Sequence, residues 1–150
     1  MSIYIKSPEL IYKIKKVEAE SRKVSKPEDV LPFVKELYDL GIERFIALYL
    51  DSKNKIRGRK IIADGSVAQV NPMVREVFRY GIGLDAASII LIHNHPSGSC
   101  EPSREDRDWL KTCMQGGEAL GIKVLDFIVV ARDDDGADSY YSCADHSFMG

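Results

Sequence analysis

The stretch that most constrains the fold is the apolar run 89–92, which is followed directly by the sequence His-Asn-His. Its apolar residues occupy both parities of a strand, which predicts a β-strand covered on both faces by other elements. Such buried strands are typical of sheets that carry helices. The chain has 150 residues, which is enough for one domain with a sizeable core.

Strand patterns on either side of this run predict the rest of the sheet. The segments 43–50 and 55–63 flank a polar turn and predict a β-hairpin. Segment 123–131 has the apolar pattern of another buried strand. Segment 139–142 follows an acidic turn and is predicted to be the short strand that pairs with it.

Helical spacing and capping residues predict three helices between these strands. One starts at the capping box of Ser25 and stops at Gly41, one covers 72–80, and one runs from Ser103 to Leu120. Helices interspersed with hairpin strands predict an α/β fold with a mixed β-sheet sandwiched by helices.

Composition narrows the class of protein. The chain is 45% hydrophobic and 29% charged with a net charge of −2, as is usual for a globular domain. It has neither an apolar run of the ~20 residues that span a membrane nor a signal-peptide pattern, so we expect no membrane partner. Three cysteines without a C-x-x-C pair favour a reducing compartment, and we expect the cytoplasm.

The charge is unevenly distributed: residues 1–60 carry 14 Lys and Arg against 9 Asp and Glu, and residues 61–150 carry 7 against 14. We interpret 1–24 as an N-terminal extension that contains a strand at 10–17, with a short helix as the alternative, and 25–150 as the main domain. The basic residues of the extension would suit an anionic partner, nucleic acid included. A solvated basic face is the simpler interpretation, because few aromatic residues interleave with these charges.

The candidate metal-binding residues lie at and just after the end of the buried strand. Residues two apart in a strand point to the same side, so His93 and His95 project together. Pro96 cannot continue the ladder, and the next helix brings Asp106 back in its first turn. Two imidazoles and a carboxylate are three of the ligands that Zn²⁺ prefers, and an open fourth position is typical of catalytic sites.

Simpler interpretations apply to the same residues. Ser103-x-x-Asp106 is also a helix cap, and a His-x-His pair is often just a polar strand end. Capping and metal binding are compatible, because Ser103 can cap the helix while Asp106 reaches inward. A metal-activated water also needs a base. On the residues alone, Glu43 and Glu76 are equal candidates.

The spacing His-x-His, seven residues, Ser-x-x-Asp resembles the JAMM metalloprotease motif of the JAB/MPN superfamily. The segments "HNHPSG" and "PSRED", with "REVF" and "AASIIL" before them and "LGIKVLD" after the helix, are similar to its bacterial RadC branch. The resemblance covers about Ser25 to Cys143. It implies the JAB/MPN fold, which is cytidine-deaminase-like, and a zinc-dependent peptidase.

The resemblance also implies roles for individual residues. The family's metal ligands fall on His93, His95 and Asp106, and its catalytic glutamate falls on Glu43. The family's serine, which hydrogen-bonds the metal-bound water or the developing oxyanion, falls on Ser103. We therefore expect zinc-dependent cleavage of a peptide or isopeptide bond in a peptide or protein substrate.

The alternative is a non-catalytic interaction or DNA-associated module that uses the same fold as a scaffold. One departure from the resembled pattern concerns the site. Phe127 stands where RadC relatives typically have a histidine, and we expect it to alter the surroundings of the site or a neighbouring surface.

Overall fold

The computed structural model describes residues 23–67 and 74–149. Their strands form one sheet: β1 (Arg44–Leu50), β2 (Ile56–Asp64), β3 (Ser88–Asn94), β4 (Lys123–Arg132) and β5 (Asp138–Ser142). The spatial order is β2-β1-β3-β4-β5. Only β3 and β4 are parallel neighbours, and the other pairs are antiparallel. The predicted mixed sheet and its hairpin are confirmed.

Helices cover both faces of this sheet. α1 (Val74–Gly83) and α2 (Arg104–Leu120) pack on one face, where their apolar residues join those of alternate strand positions. Two short 3₁₀ helices, Pro27–Phe33 and Lys35–Tyr38, pack their apolar residues on the opposite face. The strand β3 is buried at all seven of its positions between the two layers. The predicted α/β sandwich is thereby confirmed.

The first helix was predicted wrongly in type and in length. The segment forms two 3₁₀ helices that end at Tyr38 rather than one α-helix that reaches Gly41. Pro32 explains the difference, because it lacks an N–H and its ring crowds the carbonyl four residues earlier. The cap is also different: the Asp29 carboxylate accepts from the backbone N–H groups of Ser25 (2.8 Å) and Lys26 (3.0 Å).

The second helix continues past its predicted stop. α1 ends at Gly83, and Gly81 lies inside it. A Cβ at Gly81 would stand 3.4 Å from side-chain atoms of Ile89 and Tyr49. This glycine therefore permits a close approach of helix to sheet rather than a turn. The third helix agrees with its prediction, since Ser103 caps it and it ends at Leu120.

Most of the N-terminal extension (1–24), with its strand at 10–17, falls in residues 1–22, outside the described residues, so the boundary at 24 stays a prediction. The first two residues of the second predicted helix, 72 and 73, are outside them as well. Within 23–67 and 74–149, none of the helices combines the length and apolarity that crossing a membrane requires.

Candidate metal centre

The imidazole of His93 is fixed at the buried end of β3. Its ring stacks on Phe45 of β1 with centroids 3.8 Å apart and an angle of 9° between the planes. Its Nδ1 lies 3.2 Å from the carbonyl oxygen of Arg44. A carbonyl only accepts, so Nδ1 carries the hydrogen and Nε2 presents its lone pair.

That lone pair has no hydrogen-bond partner among the described residues, although Nε2 is buried. Burial lowers the pKa of His93 to about 4, despite the opposing charge of Asp106, so the ring is neutral near pH 7. Two carboxylate oxygens lie close to Nε2, of Glu43 at 3.6 Å and of Asp106 at 3.8 Å. A buried lone pair that has no donor and lies beside two carboxylates is a place where a bound cation would be favourable.

The second imidazole, of His95, stands at right angles to the first with the ring centroids 5.1 Å apart. Its Nδ1 lies 2.9 Å from the carbonyl oxygen of Ser99, and its Nε2 lies 2.9 Å from Oδ2 of Asp106. Burial disfavours the charged ring, but the hydrogen bond and charge of Asp106 outweigh it and raise the pKa of His95. A carbonyl and a carboxylate only accept, so these contacts suit a ring with a hydrogen on each nitrogen, the form that the raised pKa favours.

Asp106 reaches the imidazoles from the first turn of α2. Its backbone N–H donates to Oγ of Ser103 (3.0 Å), and its own Oδ2 accepts from the N–H of Ser103 (2.9 Å). This reciprocal capping box fixes the carboxylate beside His95. Burial would raise the pKa of Asp106, but the hydrogen bonds from His95 and Ser103 lower it overall. The predicted cap is present, and the same carboxylate faces the imidazoles.

Glu43 approaches from the other side, immediately before β1. Its Oε1 lies 3.6 Å from Nε2 of His93 and 4.0 Å from Nε2 of His95. Burial raises the pKa of Glu43 above its usual value, as does the charge of Asp106. Its carbonyl accepts from the N–H of Gly65 (2.7 Å), whose φ of 123° suits glycine.

Two carboxylates are thus offered to one pair of imidazoles. The ligand atoms of Glu43, His93 and His95 all lie within 4.8 Å of one another. The predicted ligand Asp106 is not in this group: its Oδ2 is hydrogen-bonded to Nε2 of His95 at 2.9 Å, and its Oδ1 lies 3.8 Å from Nε2 of His93. Tetrahedral zinc with bonds of about 2.0–2.2 Å separates its ligands by roughly 3.3–3.6 Å. The group of Glu43, His93 and His95 could therefore hold a metal ion.

The rival base, Glu76, lies elsewhere. It sits on α1, and its carboxylate is engaged by the guanidinium of Arg79 at 2.9 Å. It is absent from the described lining of the cleft at the site, which has a volume of about 460 Å³. Glu43 and Ser103 both line that cleft.

Sequence reasoning missed the aromatic and amide contacts around the site. Phe45 supports the ring of His93, and Asn94 binds the backbone of the neighbouring strand. Phe127 is fully buried 6.4 Å from the ring of Phe45, so it lies one aromatic layer behind His93 and not on a surface. The Asn in His-Asn-His was visible, but its partners depend on a strand pairing over 50 residues of separation.

The fold and the site define an α/β domain of the JAB type with a candidate metal centre. The chain belongs to the family of the RadC-like JAB domain, whose family model matches residues 24–148. A protein of Methanosarcina mazei named UPF0758 protein is 38% identical over 134 residues, which are 89% of this chain and 56% of that relative. A protein of the same name from Desulforamulus reducens is 43% identical over 124 residues, 81% of this chain and 55% of the relative. The chain spans about half the length of these curated relatives.

Proposed function

We propose that the chain is a zinc-dependent hydrolase that cleaves a peptide or isopeptide bond of a protein or peptide substrate. The observation that carries the proposal is the buried Nε2 of His93, which has no partner among the described residues and faces two carboxylates. That arrangement is unfavourable in a bare scaffold and becomes favourable once a cation is bound.

His93, His95 and Asp106 would hold the ion, and Glu43 would remain free. Asp106 suits a ligand because its side chain is 2% exposed and fixed by the helix cap. Glu43 suits a base because its side chain is 25% exposed and its pKa is raised, mainly by burial. When bound, zinc lowers the pKa of water from 15.7 toward ~7 and polarises a carbonyl group.

Glu43 then moves the proton. Its carboxylate accepts a proton from water as the water oxygen attacks the scissile carbonyl carbon. The same carboxyl group gives this proton to the nitrogen of the leaving amine as the carbon–nitrogen bond breaks. A raised pKa suits this role, because it makes the carboxylate a stronger proton acceptor than an ordinary glutamate.

Ser103 has a donor left for the reaction. Its Oγ accepts from the N–H of Asp106, which leaves its own hydroxyl hydrogen to donate toward the cleft that it lines. We assign this hydrogen to the oxyanion that develops on the substrate carbonyl. The three free cysteines fit the cytoplasm as the proposed compartment.

The experiment compares metal-stripped, zinc-reloaded and untreated protein on a panel of linear peptides and lysine-linked isopeptide conjugates. We expect hydrolysis that is lost on chelation and restored by zinc. The alternative scaffold function would instead give no hydrolysis in any state. Nucleic-acid binding that weakens steeply with salt would then favour the DNA-associated module.

A further inference from the structure

The strands β1 and β3 separate where the site opens. Their ladder ends at the pair Phe45 and His93. On the other side of β3 the ladder to β4 continues, because the backbone N–H of His95 donates to the carbonyl of Val130 (2.9 Å). The backbone of β1 at this end therefore needs other partners, because unpaired buried groups are costly.

The side chain of Asn94 supplies those partners. Its Oδ1 accepts from the backbone N–H of Arg44 (2.7 Å), and its Nδ2 donates to the carbonyl of Ile42 (2.9 Å). The partners fix the orientation of the amide, since an N–H needs an acceptor and a carbonyl needs a donor. Asn94 is 1% exposed, so water does not compete for these bonds.

Ile42 and Arg44 are the two neighbours of Glu43 in the chain. A single amide therefore grips the backbone on both sides of the proposed base, and the N–H of Gly65 binds the carbonyl of Glu43 itself (2.7 Å). We propose that Asn94 is a positioning residue that aims the carboxylate of Glu43 at the metal centre; the inference rests on the proposed function of Glu43.

The alternation of a strand makes this arrangement workable. His93 and His95 point to the site, and Asn94 between them points to the other side. The amide can therefore hold Glu43 without occupying the cleft or the ligand positions. A base that is misplaced by about 1 Å can lose on the order of 10²-fold in rate. The hydrogen bonds of Asn94 to the backbone should therefore have a large effect on turnover.

The test uses Asn94→Ala in the full chain, with Ser88→Ala as the matched control at the other buried end of β3. Without substrate, nuclear Overhauser effects report contacts between the Glu43 methylene protons and the imidazole of His95, and amide exchange reports the N–H of Arg44. We expect Asn94→Ala to lose the Glu43–His95 contacts and to exchange the Arg44 amide on the order of tenfold faster. Contacts between Phe45 and His93 should remain, and Ser88→Ala should change nothing at the site.

On a responsive substrate, Asn94→Ala should lower kcat about 10–100-fold with KM and Co²⁺ affinity within about threefold of wild type. Asn94→Asp keeps the acceptor for Arg44 and loses the donor for Ile42, so its kcat should lie between those of wild type and Asn94→Ala. This variant also provides the test if Asn94→Ala does not fold.

Unchanged Glu43 contacts and Arg44 exchange in Asn94→Ala would overturn the proposal. So would a loss of Co²⁺ affinity as large as the loss of kcat, because the amide would then support the histidines. A wild-type chain with these contacts but no hydrolysis would instead overturn the proposed function alone.

Discussion

The two ends of β3 are equally buried, yet they carry different chemistry. Each end has one buried polar atom without a hydrogen-bond partner among the described residues, Oγ of Ser88 and Nε2 of His93. The Ser88 hydroxyl is neutral, and the next residue, Ile89, packs in the apolar core. The His93 nitrogen is held in place by a hydrogen bond and a stacked ring, and two carboxylates face it. This difference indicates that a buried nitrogen lone pair held in place beside two carboxylates marks a metal ligand, whereas burial alone does not.

Removing the base should have the largest effect at the polar end. Glu43→Gln keeps the size of the side chain but cannot accept the proton, so we expect turnover to fall on the order of 10²–10⁴-fold. Zinc content should stay at the wild-type level, because Glu43 is not an assigned ligand. Hydrolysis and metal analysis of the same preparation check this. If Glu43→Gln lost its zinc, Glu43 would be a ligand, and if it kept full turnover, another residue would be the base.

At the apolar end, the effect should be on stability alone. Ile89→Ala removes a fully buried side chain that packs toward Gly81 of α1, and we expect a loss of about 2–5 kcal/mol in the free energy of unfolding. The zinc affinity of the folded fraction should not change. Urea titration and zinc binding measured below the unfolding transition check the two halves. A large loss of zinc affinity in folded Ile89→Ala would contradict the prediction that the apolar end of β3 affects stability alone.

Ser103 tests whether the helix cap also acts in catalysis. As a cap alone, Ser103→Ala should cost about 0.5–2 kcal/mol of stability and leave turnover per folded molecule nearly intact. As a donor to the oxyanion, it should lower kcat on the order of 10²–10³-fold. Ser103→Asn separates the roles, because asparagine caps a helix without reproducing the hydroxyl. We expect it to melt near the wild-type temperature and hydrolyse poorly, and a fully active Ser103→Asn would leave only the cap.

Zinc affinity should fall at low pH, because the ligand His95 takes up a proton that competes with the ion. The pKa of His95 is raised above 6.5 in the metal-free protein, and the ion must displace that proton. Zinc affinity should therefore fall up to tenfold per pH unit below this raised pKa and level off above it. The proton on His95 stabilises the metal-free fold fully below pH 6.5, and this contribution is lost as pH rises through the raised pKa. Zinc titrations and melting curves from pH 5 to 8.5 should move in opposite directions, and a pH-independent affinity would contradict the assignment.

Predictions from the sequence were most accurate where the spacing of residues and the chemistry of their side chains indicated the same feature. The both-parity apolar run, the two histidines and the capping box were local signals, and the structure brings His93, His95 and Asp106 together as they indicated. Glu43 also lies beside the imidazoles, but only the family resemblance had favoured it over Glu76. The first helix was mispredicted because Pro32 prevents an α-helix that its apolar spacing favours. The grip of Asn94 on β1 could not be predicted, because it depends on where two strands separate. The distances also bring Glu43 as close to the imidazoles as a ligand would be, which spacing alone did not indicate.

The most direct test of the metal centre is zinc titration by calorimetry into metal-stripped wild type, His93→Ala/His95→Ala and the Ser88→Ala control. Our account predicts about one zinc per folded wild-type chain and per Ser88→Ala chain, bound at the polar end of β3. The double variant should fold and lose at least about 100-fold in affinity, because two of its three assigned ligands are gone. Full zinc binding with unchanged affinity in the double variant would contradict the account.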